Sequence, residues 1–134
     1  MYTDLMSNTE TSTAAQIAAA EETLDRLTEL GTDAKLRFIK RHFGGYYVEF
    51  DGLEIGWVVR SYSTKCWDAY FSGVEAGKGT RTGSDYRLRE FAARELARNV
   101  SKPSRHLWSD RREYLDGLEM RLADEKRIAR IMGA

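Results

Sequence analysis

Residues 46 to 60 read YYVEFDGLEIGWVVR, and two-residue alternation through them restricts the fold more than any other feature of the chain. Tyr46, Val48 and Phe50 fall on one face of an extended strand, with Tyr47 and Glu49 on the other. Asp51-Gly52 supplies the pair that a tight hairpin needs, because both central turn positions favour positive φ. The alternation then resumes, with Leu53, Ile55, Trp57 and Val59 opposite Glu54, Gly56, Val58 and Arg60. Ser63-Thr64-Lys65 makes a second turn, and a third strand directs Trp67, Ala69 and Phe71 inward with Cys66, Asp68 and Tyr70 outward. The expectation is a three-stranded antiparallel meander over 46–72, with Trp57 and Trp67 sharing its apolar face.

Such a face has to be covered. RLREFAARELARNV predicts a helix over about 87–100, capped by Ser84 or Asp85, with Leu88, Phe91, Ala92 and Leu96 as one stripe. Ala92, Ala93 and Ala97 let it approach the sheet closely. Upstream, Thr11 or Thr13 can cap a helix in which Ile17, Leu24 and Leu27 recur at helical spacing up to a stop at Gly31. Asp33 can cap a second, AKLRFIKRHF, striped by Leu36, Ile39 and Phe43. GVEAGKGTRTGSDY reads as a loop, Pro103 closes the covering helix, and a long helix runs from about Leu107 to Met132, striped by Trp108, Leu115, Leu118 and Leu122. The expected class is therefore α+β: a meander packed by an alanine-rich helix, with two N-terminal helices and one long C-terminal helix. Residues 1–10 read as a flexible polar tail and 11–134 as a single domain.

Function classes narrow by composition. With 42% hydrophobic and 31% charged residues the chain is globular rather than disordered. No apolar run reaches the ~20 residues of a membrane span. The start, MYTDLMSNTE, lacks the basic and apolar regions of a secretory signal. One cysteine, Cys66, allows no internal disulfide and suits a reducing cytoplasm, the expected location. The net charge of zero hides a gradient. Residues 1–34 carry seven acids and one base, residues 35–106 fourteen bases and eight acids, and the rest six of each. A basic binding surface explains that gradient, and so does an acidic segment packed on a basic one.

Catalytic signatures are missing from the sequence. GVEAGKGT has the phosphate-loop look without its spacing: three residues separate Gly73 from Gly77, and Gly79 stands where a hydroxyl must bind magnesium. His42 and His106 have no metal-ligand neighbours at useful spacing, and a single cysteine makes no zinc knuckle. Carboxylates alternate with bases along helices, as in Glu90 and Arg94. The expectation is a non-enzymatic binding protein with no cofactor.

Arg60, Lys65, Lys78, Arg81, Arg87 and Arg89 cluster along the strands and the following loop, as suits a ribbon in a DNA groove. GWVVRSYSTKCWDAYF followed by GSDYRLREFAARELAR resembles the three-strand-plus-helix DNA-binding domain of plant Apetala-type factors and the arm-binding domains of phage integrases, over about residues 54–98. The resemblance implies that the open sheet face enters the major groove of double-stranded DNA, with Arg60 and Tyr62 on the groove-facing strand and Lys65 in the turn. Lys78, Arg81 and Arg87 complete the expected nucleic-acid site. The sequence departs from those families in placing Glu49, Glu54 and Asp68 on that face, where they oppose phosphate binding. Tyr47, Tyr62 and Tyr70 suit a partner protein equally well. The small chain with a polar tail and no catalytic signature also resembles accessory proteins of actinobacterial phages, which implies a protein target. The terminal helices offer faces for a homodimer.

Overall fold

The computed structural model describes residues 2–75, 79–103 and 109–133, with side chains in the first helix from residue 13 onward. Helix α1 spans Tyr2–Leu30 and passes through a short 3-10 turn, Gly31–Asp33, into five strands. These are β1 (Arg37–Lys40), β2 (Tyr46–Phe50), β3 (Leu53–Arg60), β4 (Trp67–Ser72) and β5 (Gly79–Tyr86), followed by α2 (Arg89–Ser101) and α3 (Asp110–Ile131). All neighbouring strands are antiparallel, in the order β1-β2-β3-β4-β5. The class is α+β, but the expected three-stranded meander with two N-terminal helices is wrong: among the described residues the sheet has five strands, with one α-helix before it and two after it.

Both added strands are edges, and neither carries the unambiguous alternation that marked the middle three. The expected second helix is β1. Its residues satisfy helical spacing and two-residue alternation alike, and the pairing of Phe38 with Val48 selects the strand. Leu36 and Phe38 then pack on the core, leaving Ile39 and Phe43, the other two residues of the expected stripe, in solvent. Gly45 permits the sharp return into β2: its φ is +73°, and a Cβ there would lie 2.3 Å from the Val58 carbonyl oxygen. The expected loop from Gly73 holds β5. This strand has no apolar alternation because hydroxyls fill its inward positions. Thr80 donates to Glu113 at 3.0 Å, Thr82 donates to Asp110 at 2.6 Å, and Asn99 donates to Thr82 Oγ1 at 2.9 Å.

The third correction concerns phase. Val48 pairs with Gly56 but Glu49 pairs with Glu54, so β3 carries an extra residue at Ile55. A bulge of this kind puts two successive residues on one side and shifts everything beyond it by one position. Ile55 and Val58 are therefore both fully buried, and Trp57, expected inward, faces out. Gly56 makes the bulge feasible. A Cβ at that position would sit 2.2 Å from the Tyr70 carbonyl oxygen and 2.9 Å from Leu96 Cδ1.

All three helices lie on the inward side. Helix α2 rests directly on β3, β4 and β5, while α1 and α3 pack against it and against each other. Its buried face is Ala92, Ala93, Leu96, Ala97 and Val100: Ala92 and Leu96 of the expected stripe are buried, whereas Leu88 and Phe91 are more than half exposed. The cap differs too: Ser84 and Asp85 belong to β5, and Leu88 precedes the helix without a side-chain cap. Helix α1 starts well before Thr11, yet it buries Leu24 and Leu27 as its spacing predicts. Helix α3 is capped by Ser109, whose hydroxyl accepts from the Arg112 amide at 3.1 Å. It reaches the sheet through Tyr114, which is buried and donates to the Glu54 carbonyl oxygen. Trp108 and His106 lie outside the described residues. The fully buried Leu24, Val48, Ile55, Val58, Phe71, Leu96 and Val100 form the core, each worth about 1.5–3 kcal/mol of transfer free energy.

Candidate nucleic-acid interface

With every helix on one side, the other face of the sheet carries its own set of side chains. One cross-strand row runs Ile39, Tyr47, Trp57, Tyr70, Arg81, one residue from each strand. The shifted phase of β3 is what brings Trp57 into it. The indole lies along the sheet surface: it starts on β3 and reaches β5, where a Cβ on Gly79 would lie 2.4 Å from its Cζ2. Tyr70 is nearly parallel to it, with 6.0 Å between ring centroids and 11° between planes. The guanidinium of Arg41, from the β1–β2 turn, stands 5.0 Å from the Trp57 ring and 5.2 Å from the Tyr47 ring. Its Nε is buried and has no hydrogen-bond partner. Arg41 therefore holds its charge over two aromatic rings, in no ion pair among the described residues but within electrostatic reach of Glu54.

Charge on this face is graded from one end to the other. Glu49 and Glu54 face each other beside the β2–β3 turn, where Glu49 pairs with Arg37 at 3.7 Å. Burial raises the Glu54 carboxyl above the usual carboxylate range; Arg121 pulls it back, Glu49 adds to the rise, and Arg41 opposes it weakly. Asp68 is engaged by the Asp85 amide, which donates to it at 3.1 Å. At the opposite end stand the β1–β2 and β3–β4 turns, with Phe43 and Tyr62 almost wholly exposed at their tips. Strand spacing places the two turns about 10 Å apart.

The expected site residues divide between these places. Arg81 alone joins the ring row. Arg60 does not belong to the open face: beyond the bulge it pairs with inward-facing Trp67, and its Nε donates to the Lys65 carbonyl oxygen at 3.2 Å. Tyr62 occupies the β3–β4 turn rather than a groove-facing strand, alongside Lys65, the residue expected in the turn, which has φ of +61°. Arg87 is exposed just after β5, near the same end. Arg89 turns to the helix side, its guanidinium 4.1 Å from the Phe38 ring and 4.7 Å from the Tyr46 ring. Lys78 lies outside the described residues. The structure thus adds Arg41 and Trp57 to the face. An isolated glycine within a strand pattern, Gly56, was the available signal for the bulge that turns Trp57 outward.

The acidic helix α1 does not lie over this face. Arg111 meets Asp25 at 2.8 Å and Arg26 meets Asp51 at 3.1 Å, tying α1 to α3 and to the β2–β3 turn. Among the described residues no His, Cys, Asp or Glu cluster could hold a metal ion, and no helix is long and apolar enough to cross a membrane. No family model, curated protein or solved structure matches the chain.

Proposed function

We propose that this protein binds single-stranded nucleic acid across the open face of its sheet. The observation that carries the reading is the row Tyr47–Trp57–Tyr70, flanked by the Arg41 guanidinium above its rings and by Arg81 at its end. Half-buried rings aligned on adjacent strands of a helix-free face suit unpaired bases, each stacked base contributing about 1–3 kcal/mol. Unpaired guanidiniums meet phosphates and release counterions. A single strand fits better than the double-stranded DNA expected from sequence, because flat rings rather than arginines dominate the face. The path leads away from Glu49 and Glu54, toward the turn that carries Tyr62 and Lys65.

Fluorescence anisotropy with labelled oligo-dT, oligo-U and a duplex of equal length tests this. The expected outcome is tighter binding of the single strands, weakening with salt, and a loss of roughly tenfold or more in Trp57→Ala. No retention of either single strand at low salt overturns the reading. Glu49, Glu54 and Asp68 favour a second one, a partner protein gripped by the same tyrosines and tryptophan. In that case Trp57→Ala abolishes capture of a partner, and no oligonucleotide competes with it.

A further inference from the structure

On the helix side, far from the ring row, the chain encloses a cleft of about 490 Å³ between the end of α1, the 3-10 turn and α2. Its origin is local. Gly31, with φ of +55°, ends α1 and swings the chain away from α2 before β1 begins. Thr28 holds the two helices together at this level, its hydroxyl lying 3.0 Å from the Leu24 carbonyl oxygen and 2.8 Å from that of Ser101. The floor is apolar: Leu27 and Ala97 are nearly closed to solvent, and Ala34 and Leu36 are half-buried.

The rim is cationic. Arg94 and Arg98 lie one turn apart on α2 and Lys102 follows as its C-cap, all exposed, and none forms an ion pair among the described residues. Glu95 is the one carboxylate in the lining. Glu90, one turn before Arg94, is engaged by Arg89 at 3.2 Å. The lining therefore carries three positive charges against one negative.

We infer that this cleft binds a small amphipathic carboxylate, its apolar body on the Leu27–Leu36 floor and its head against Arg98 and Lys102. The volume lies within the range of small-molecule sites, about 300–1,000 Å³. An apolar floor alone would take any greasy molecule. Unpaired arginine forks beside it select an anion, since guanidinium and carboxylate meet through two parallel hydrogen bonds. Arg94 stands where it can reinforce the head contact.

The test is an amide chemical-shift titration of the whole chain with sodium octanoate, with 1-octanol as the neutral control. Saturable shifts centred on Ala34, Leu36 and Ala97 are expected with octanoate. The double substitution Arg98→Ala, Lys102→Ala should weaken them by about tenfold, as befits loss of charge-assisted hydrogen bonds. Leu36→Trp fills the floor and should block binding; Ala34→Leu serves if that variant does not fold. No saturable shift by about 1 mM ligand, equal affinity for octanol, or shifts centred on the open sheet face would each overturn the inference.

Discussion

Trp57 and Trp67 sit on neighbouring strands of one sheet and look in opposite directions. Trp67 packs beside Tyr46, 6.2 Å between ring centroids, against the core beneath the helices. Trp57 lies half-buried on the opposite, helix-free face, stacked with Tyr70 and under Arg41. The chemistry of the two side chains is the same, so the difference is made by the backbone: a single extra residue in β3 decides which tryptophan packs beneath the helices and which faces the other side of the sheet.

Substitutions can break that division in order of severity. Gly56→Val strikes the bulge itself. With a Cβ placed 2.2 Å from backbone oxygen it cannot be absorbed by a rotamer change, and about 3 kcal/mol or more of stability should be lost in urea denaturation. Leu96→Ala on the covered face should cost about 2–5 kcal/mol while leaving affinity for oligo-dT unchanged in the folded fraction. A loss of affinity in that folded fraction would mean that the two faces are coupled. Trp57→Ala is the mirror case, losing ligand with a smaller change in denaturation midpoint than Trp67→Ala.

Glu54→Gln sharpens the comparison through pH. The Glu54 carboxyl titrates above its value in the unfolded chain, so the folded state holds its proton more tightly. Its ionised form therefore opposes folding above the folded-state pKa, and that opposition is gone below the unfolded value of about 4.5. Glu54→Gln should raise the midpoint at pH 7 and match the parent chain at pH 4. An equal gain at both pH values would refute the electrostatic origin. Smallest of all, Arg37→Ala removes an exposed pair with Glu49 and should change stability by under about 1 kcal/mol, by thermal denaturation in low salt.

What could be read from the sequence follows the same division. Residues 46–50 and 67–71 face as their alternation indicates, the Asp51-Gly52 turn is present, and a helix rich in alanine covers the sheet. Those segments are flanked by strands on both sides and by helices on one, so burial imposes a legible pattern. Strands β1 and β5 are edges, and edge strands need no apolar alternation. Phe38 in β1 is placed by its partner Val48, and Thr80 and Thr82 in β5 are satisfied by Glu113, Asp110 and Asn99 from distant positions in the chain. The site fared accordingly. Tyr47 and Tyr70 could be placed from parity alone, whereas Arg41 and Trp57 depend on a turn and a bulge that only pairing reveals.

Where α3 crosses the end of β4, glycine meets glycine: a Cβ on Gly117 would fall 2.5 Å from the Gly73 carbonyl oxygen, and Arg121 donates to that of Ser72 at 3.2 Å. Main chain approaches main chain closely there, with the Glu113 side chain packed against Gly73 beside it. The helix and the strand end should consequently open and close as one cooperative unit, and amide protons around Ser72 should exchange with deuterium no faster than those of Tyr114 to Leu118.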